Sequence, residues 1–316
     1  MAFAFTFPGQ ATQHVGMGKD LPGAFAPARA VFEEVDDALD QKLFALMCDG
    51  PLETLTLTEN AQPALMAVSL AVICVLQAEG GIDVARARFV AGHSLGEYSA
   101  LAAAGTFTLA DPARLLKLRG QAMQAAVPVG AGAMAALLGL DLDAAKTVAA
   151  EASAAAGGAV CATANDNAPG QVVISGDKQA VEAALEIATR AGARRAIMLT
   201  VSAPFHCSLM QPAAEAMAAA LADTAMKPPV VPLVANVSAR PASEPGQIRD
   251  ALVEQVTAMV RWRETVEYLG TQEIETIYEL GAGKVLSGLA IRIDRAIKPV
   301  SVGAPADVEA MIEALA

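Results

Sequence analysis

Histidine is scarce in this 316-residue chain, where only His14, His93 and His206 occur. Any proton shuttle working near neutral pH therefore has three imidazole candidates. Cysteine is scarce as well. Cys48, Cys74, Cys161 and Cys207 are scattered and form no C-x-x-C pair. That pattern argues against a disulfide frame or a metal site and predicts a reduced, cytoplasmic protein, with Cys207 as a buried, inert thiol. Aromatics make up only 4% of the chain. Basic residues are outnumbered, 22 Lys+Arg against 34 Asp+Glu, for a formal charge of −12. With no basic run and no aromatic stripe, nucleic acid is excluded as a partner. The apolar stretch from Pro63 to Leu76 is shorter than the ~20 residues of a membrane span, so it predicts a core helix and no membrane partner. The first seven residues, Met1-Ala-Phe-Ala-Phe-Thr-Phe, lack the basic residues of a signal peptide and predict a first strand.

What is abundant is small and apolar. The hydrophobic fraction is 54% and there are 25 glycines, a mix suited to a helix-covered parallel sheet. Alternation predicts strands at Phe3–Phe7, Arg88–Ala91, Pro229–Val237, Thr276–Leu280 and Pro299–Val302. Helical periodicity falls at 26–39, 59–76, 248–260 and 285–295. Between them the pattern changes. After Val127-Pro-Val-Gly-Ala-Gly132 come strand 133–140, helix 142–155, strand 159–164, strand 171–175, helix 178–191 and strand 195–201. This β-α-β-β-α-β order is that of a ferredoxin-like unit. The expected architecture is α/β, with a large α/β-hydrolase-like domain built on a parallel sheet. Residues 1–130 and 202–316 form that domain, and residues 131–201 form an inserted small ferredoxin-like domain.

Gly92-His93-Ser94-Leu95-Gly96 is a G-x-S-x-G pentapeptide between an apolar strand and a helix. A nucleophile on so sharp a turn needs small neighbours two residues away on each side. The turn leaves the hydroxyl exposed at a helix N-terminus, where the Leu95 N–H meets a developing oxyanion. Serine needs a base. His93 adjoins the nucleophile and points away from it, and His14 lies in a glycine-rich loop. His206, in Ser202-Ala-Pro-Phe-His-Cys207, is the favoured base, with a purely structural histidine as the alternative.

Several segments together resemble the malonyl-CoA:acyl carrier protein transacylases. They are Phe7-Pro-Gly-Gln10, Gln62-Pro-Ala-Leu65, Gly92 to Leu101, Arg119-Gly120, Ala203-Pro-Phe-His206 and Gly281-Ala-Gly-Lys-Val-Leu286. The likeness runs along essentially the whole chain. It implies that Ser94 is malonylated and that His206 serves as its base, oriented by the backbone carbonyl of Gln255. It also implies an oxyanion hole completed by the Gln10 N–H. Arg119, on composition alone an ordinary surface charge, becomes the clamp for the substrate's free carboxylate, for which the planar guanidinium suits better than Lys. Phe205 crowds a 2-methyl branch, and Gln62 and Asn165 line the pocket. No cofactor is implied beyond coenzyme A and phosphopantetheine, which are substrates. The implied partners are malonyl-CoA and an acidic acyl carrier protein, for which Lys284, Arg292 and Arg295 are candidate docking residues. A serine hydrolase or thioesterase, and a non-catalytic carrier-binding protein, are the rival readings. Two departures stand out: Gly9-Gln-Ala-Thr-Gln13 replaces the family's Gly-Gln-Gly-Ser-Gln, and Ala282 replaces a common Pro.

Overall fold

The computed structural model describes residues 2–316. Its larger sheet has six strands, β1 (Phe3–Phe7), β2 (Phe89–Gly92), β7 (Leu233–Ala235), β8 (Arg240–Ala242), β9 (Thr276–Leu280) and β10 (Lys298–Val302). The order is β10-β9-β1-β2-β7-β8. All neighbours run parallel except the β7–β8 edge pair. The central strand β1 is buried along its full length, because helices cover both faces. A strand of this kind carries a nearly unbroken apolar run. The helix Thr58–Gly80, long and apolar enough by composition to cross a membrane, is mostly buried inside the protein as a core helix.

The second sheet has β3 (Gly132–Leu138), β4 (Cys161–Ala168), β5 (Gln171–Asp177) and β6 (Arg195–Met198). The order is β4-β5-β3-β6, antiparallel throughout, which is the ferredoxin-like arrangement. Side chains alternate across it, as the two-residue strand period requires. Ala135, Leu137, Val172 and Ile174 pack with the helices Leu142–Ala155 and Lys178–Arg190. Met134, Ala136 and Val173 line a cavity on the opposite face. β4 carries two register shifts, Thr163/Asn165 and Asp166/Ala168. There its backbone bonds Val260 instead, through Asp166 N–H to Val260 O and Val260 N–H to Ala164 O, both 2.9 Å. This seam ties the small sheet to the segment that follows the helix Pro245–Gln255, beside Asn165.

Parallel α/β sheets bind ligands at the carboxyl ends of their strands. Here Gln10 follows β1, Ser94 follows the adjacent β2, Asn236 follows β7 and Gly281 follows β9. Chain order thus brings distant segments to one edge.

Candidate active site

The Ser94 turn is strained. Its φ of 54° lies in the left-handed region, costly for a residue with a side chain. Its flanks show why glycine is required. A Cβ on Gly92 would sit 1.9 Å from the Gly96 carbonyl carbon, and one on Gly96 would sit 2.2 Å from the Phe7 oxygen. The turn is packed against both its own helix and β1. Leu95 is the N-cap of the helix Gly96–Ala103. Among the described residues, the backbone N–H groups of Leu95 and Gln10 donate to no protein acceptor. The Gln10 side chain reaches Thr58 Oγ1 at 3.3 Å.

Ser94 Oγ lies 2.9 Å from His206 Nε2. On the other side of the ring, Nδ1 is 2.8 Å from the main-chain oxygen of Gln255. A carbonyl only accepts, so Nδ1 carries the proton and Nε2 is left as the acceptor facing the serine hydroxyl. The helix expected over 248–260 spans Pro245–Gln255. Its last carbonyls have no intrahelical partner, and that early stop is what leaves the Gln255 oxygen for the imidazole. His206 is 5% exposed. Burial, reinforced by the nearby Arg119 charge, pushes its pKa down to about 3, so the ring is neutral at physiological pH, with Nε2 free to accept a proton.

Arg119 lies on the helix Ala110–Ala126 and is 1% exposed. Gly120 lets that helix approach its neighbour, since a Cβ there would be 2.4 Å from Glu59 Cα. The guanidinium donates to Gln62 Oε1 at 2.8 Å, Gln255 Oε1 at 2.7 Å and Ser94 Oγ at 3.1 Å. It also stands 5.9 Å from the Tyr98 ring centroid. Its Nε has no partner among the described residues. Burial lowers its pKa, yet an arginine stays charged. A buried cation held by neutral groups is costly and is a ready receptor for an anion.

Gln10, Gln62, Asn165, Phe205 and His206 line a cavity of about 520 Å³ with Ser94 and Arg119. Phe205 is 9% exposed. Lys284, Arg292 and Arg295 are exposed on or beside the helix Val285–Ile293, whose Val285, Leu286 and Leu289 face the cavity. Arg292 is engaged with Gln171 Oε1 and, at 3.4 Å, with the Pro169 carbonyl on the small sheet's hairpin. His93 turns away from the serine to Asn167 Oδ1 at 2.9 Å. His14 stays exposed, with Nδ1 3.2 Å from Thr12 O.

Sequence reasoning missed Glu97 and Asn236. Glu97 is fully buried on the helix after the serine. A lone acid among the apolar residues of that helix was a signal available in the sequence. Asn236 had none, because its neighbours come from strands far away along the chain. Among the described residues no cluster of His, Cys, Asp or Glu is placed to hold a metal ion.

A family model for the acyl transferase domain matches residues 4–287. The malonyl CoA-acyl carrier protein transacylase of Escherichia coli (strain K12) is 46% identical over 311 residues, covering 98% of this chain and 99% of its own. The crystal structure of acyl-carrier-protein-S-malonyltransferase from Bartonella henselae matches with a TM-score of 0.96 and 55% identity, over 100% of this chain and 99% of that one. A solved complex of a type II PKS acyl-carrier protein with its malonyl-transacylase matches at 0.95 and 42%, over 99% and 100% of the two chains.

Proposed function

The chain belongs to the malonyl CoA-acyl carrier protein transacylase family, and on that premise we propose that Ser94 carries a malonyl group from coenzyme A to an acyl carrier protein. One observation carries the reading: Ser94 Oγ is 2.9 Å from a neutral imidazole and 3.1 Å from a buried guanidinium. The first activates the hydroxyl; the second receives the free carboxylate of the acyl group.

In the first half-reaction Ser94 Oγ attacks the thioester carbon as its proton moves to His206 Nε2. The carbonyl oxygen becomes an oxyanion, met by the Leu95 and Gln10 N–H groups. When the tetrahedral intermediate collapses, the C–S bond breaks and His206 returns the proton to the departing coenzyme A sulfur. In the second half-reaction a phosphopantetheine thiol gives its proton to His206 and attacks the malonyl ester. The C–O bond breaks and Ser94 regains its proton. The Gln255 carbonyl holds the tautomer throughout, in the position an acid occupies in a Ser-His-Asp triad. That carbonyl, in place of a carboxylate, weighs against a triad hydrolase.

Coenzyme A and phosphopantetheine enter as substrates, and no further cofactor is called for. Phe205 disfavours a 2-methyl branch, by about 1–3 kcal/mol for a single methyl. Gln62 and Asn165 shape the pocket. Residues 131–201 act as an inserted domain closing one wall. An acidic carrier docks on Lys284, Arg292 and Arg295, in the cytoplasm, supplying malonyl units for fatty-acid synthesis.

Intact-mass measurement after mixing with malonyl-CoA tests this. A malonyl adduct that persists, passes to a carrier and is missing in Ser94→Ala supports the transferase. Rapid release of free malonate supports a hydrolase, and no adduct at all supports a carrier-binding protein.

A further inference from the structure

Behind the reacting atoms lies a second network that the transfer chemistry leaves unexplained. Glu97 is 0% exposed. Its Oε1 accepts the Asn236 backbone N–H at 2.7 Å, and its Oε2 accepts from Gln255 Nε2. Asn236 Oδ1 in turn accepts the Ser94 N–H at 2.8 Å, while its Nδ2 donates to the Gly92 carbonyl at 2.7 Å. Gln255 Nε2 also donates to the Ser94 carbonyl at 2.9 Å. The strained serine is therefore gripped on both sides of its backbone, and both grips end on one carboxylate.

The donor and acceptor pattern has a direction. A carboxylate only accepts, whereas a primary amide has one donating and one accepting end. Facing Glu97, Gln255 must present its NH₂, which sends its oxygen to Arg119. A flipped amide would set NH₂ against guanidinium and carbonyl against carboxylate, two repulsive contacts in a dry site. The main-chain oxygen of the same Gln255 holds His206. One residue thus sits in the path to the clamp, the base and the nucleophile.

We propose that Glu97 is a positioning residue: through Gln255 and Asn236 it sets Arg119, His206 and the Ser94 turn in mutual register, without touching substrate. The proposal rests on Ser94 being the acylated group. The groups facing Glu97 are few. Arg119 is the cation, and Tyr98, on its own helix, is the other titratable side chain coupled to it. Burial pushes the carboxyl up to about 7, against the pull of the Asn236 and Gln255 hydrogen bonds and of Arg119. A protonated Glu97 would have to aim its O–H at a donor. Register is kept when the group is ionised, so malonyl loading rises as pH rises through about 7.

The test is single-turnover malonylation by full-length wild type and Glu97→Gln from pH 5.5 to 8.5. The substituted amide keeps the volume but offers a donor where an acceptor is needed. Loading should fall by about 10²-fold at pH 8, as expected for a misplacement of about 1 Å at the reacting group, and its rise through pH 7 should vanish. A variant with the wild-type rate, or a slowed variant with the wild-type pH profile, overturns the proposal. A second measurement needs no variant of Glu97: NMR of wild type with ¹⁵N-labelled glutamine side chains, without substrate. The Gln255 NH₂ resonance, identified by its loss in Gln255→Met, should titrate near pH 7. A resonance that stays fixed from pH 6 to 8 overturns the proposal even if Glu97→Gln does not fold. Acylation of Ser94→Ala would instead overturn the nucleophile assignment, which the titration does not address.

Discussion

Arg119 Nη2 stands 3.1 Å from Ser94 Oγ and 2.7 Å from Gln255 Oε1, so one nitrogen serves both the nucleophile and its support. On the proposed mechanism an incoming carboxylate takes that guanidinium, while the hydroxyl keeps its bond to His206. Arg119→Ala should lower malonyl loading by about 10²–10³-fold, the scale of a truncated buried charge pair. It should also raise acetyl-CoA acceptance relative to malonyl-CoA. Parallel loading assays with the two thioesters check this, and an unchanged malonyl rate would remove the carboxylate clamp from the mechanism.

Much of this site was legible because it lies in local patterns. Phe3–Phe7, Thr276–Leu280 and the helix 142–155 fall where the periodicity put them. The elbow is legible because steric demand at Gly92 and Gly96 leaves a sequence signature. What was not legible depends on long-range hydrogen bonds. The helix expected to reach 260 stops at Gln255, and the seam from Val260 to β4 takes over the following backbone. The strand expected to reach 201 ends at Met198, where the chain leaves the small sheet. Glu97 and Asn236 are 139 residues apart in sequence and meet only through the sheet order.

His206 and Glu97 bend the stability–pH curve in opposite directions. His206 is depressed from 6.5 to about 3. The folded state therefore binds fewer protons than the unfolded state between those values. Its contribution is full above pH 6.5 and is lost as pH falls toward 3. Glu97 is raised from 4.5 to about 7. Its contribution is full below pH 4.5 and is lost as pH rises through 7. Denaturant unfolding across pH 4–8 should show His206→Asn flattening the acid-side rise and Glu97→Gln flattening the decline toward neutrality. Matching wild-type and variant slopes would mean these groups titrate normally in the folded protein.

On the proposed docking, carrier recognition should separate from acyl loading at Lys284. This exposed residue caps the helix whose apolar face lines the cavity, while its ammonium makes no ion pair among the described residues. Charge reversal in Lys284→Glu should raise the apparent KM for an acidic carrier several-fold, more at low salt than at high salt. Malonylation of Ser94 from malonyl-CoA should keep its rate. Arg292→Glu is the less clean probe, because Arg292 also bonds Gln171 and the Pro169 carbonyl. Equal loss in both half-reactions of Lys284→Glu would count against docking at this helix.

Ala11 occupies the position where the resemblance leads one to expect glycine, and it adopts φ 83°. An alanine in that region costs about 1–2 kcal/mol. Ala11→Gly removes that cost but loses about 0.4–1 kcal/mol through the greater freedom of the unfolded chain, leaving a small net gain. The residue is exposed and its N–H is already held by Gln13 Oε1 at 2.8 Å, so relieving the strain need not reshape the loop. The substitution should raise Tm by roughly 1–3 °C, with malonyl loading within about twofold of wild type. A rise in Tm accompanied by slower loading would show that the strain at Ala11 aims the adjacent Gln10 N–H at the oxyanion. A fall in Tm would mean that the left-handed backbone at Ala11 carries no such cost.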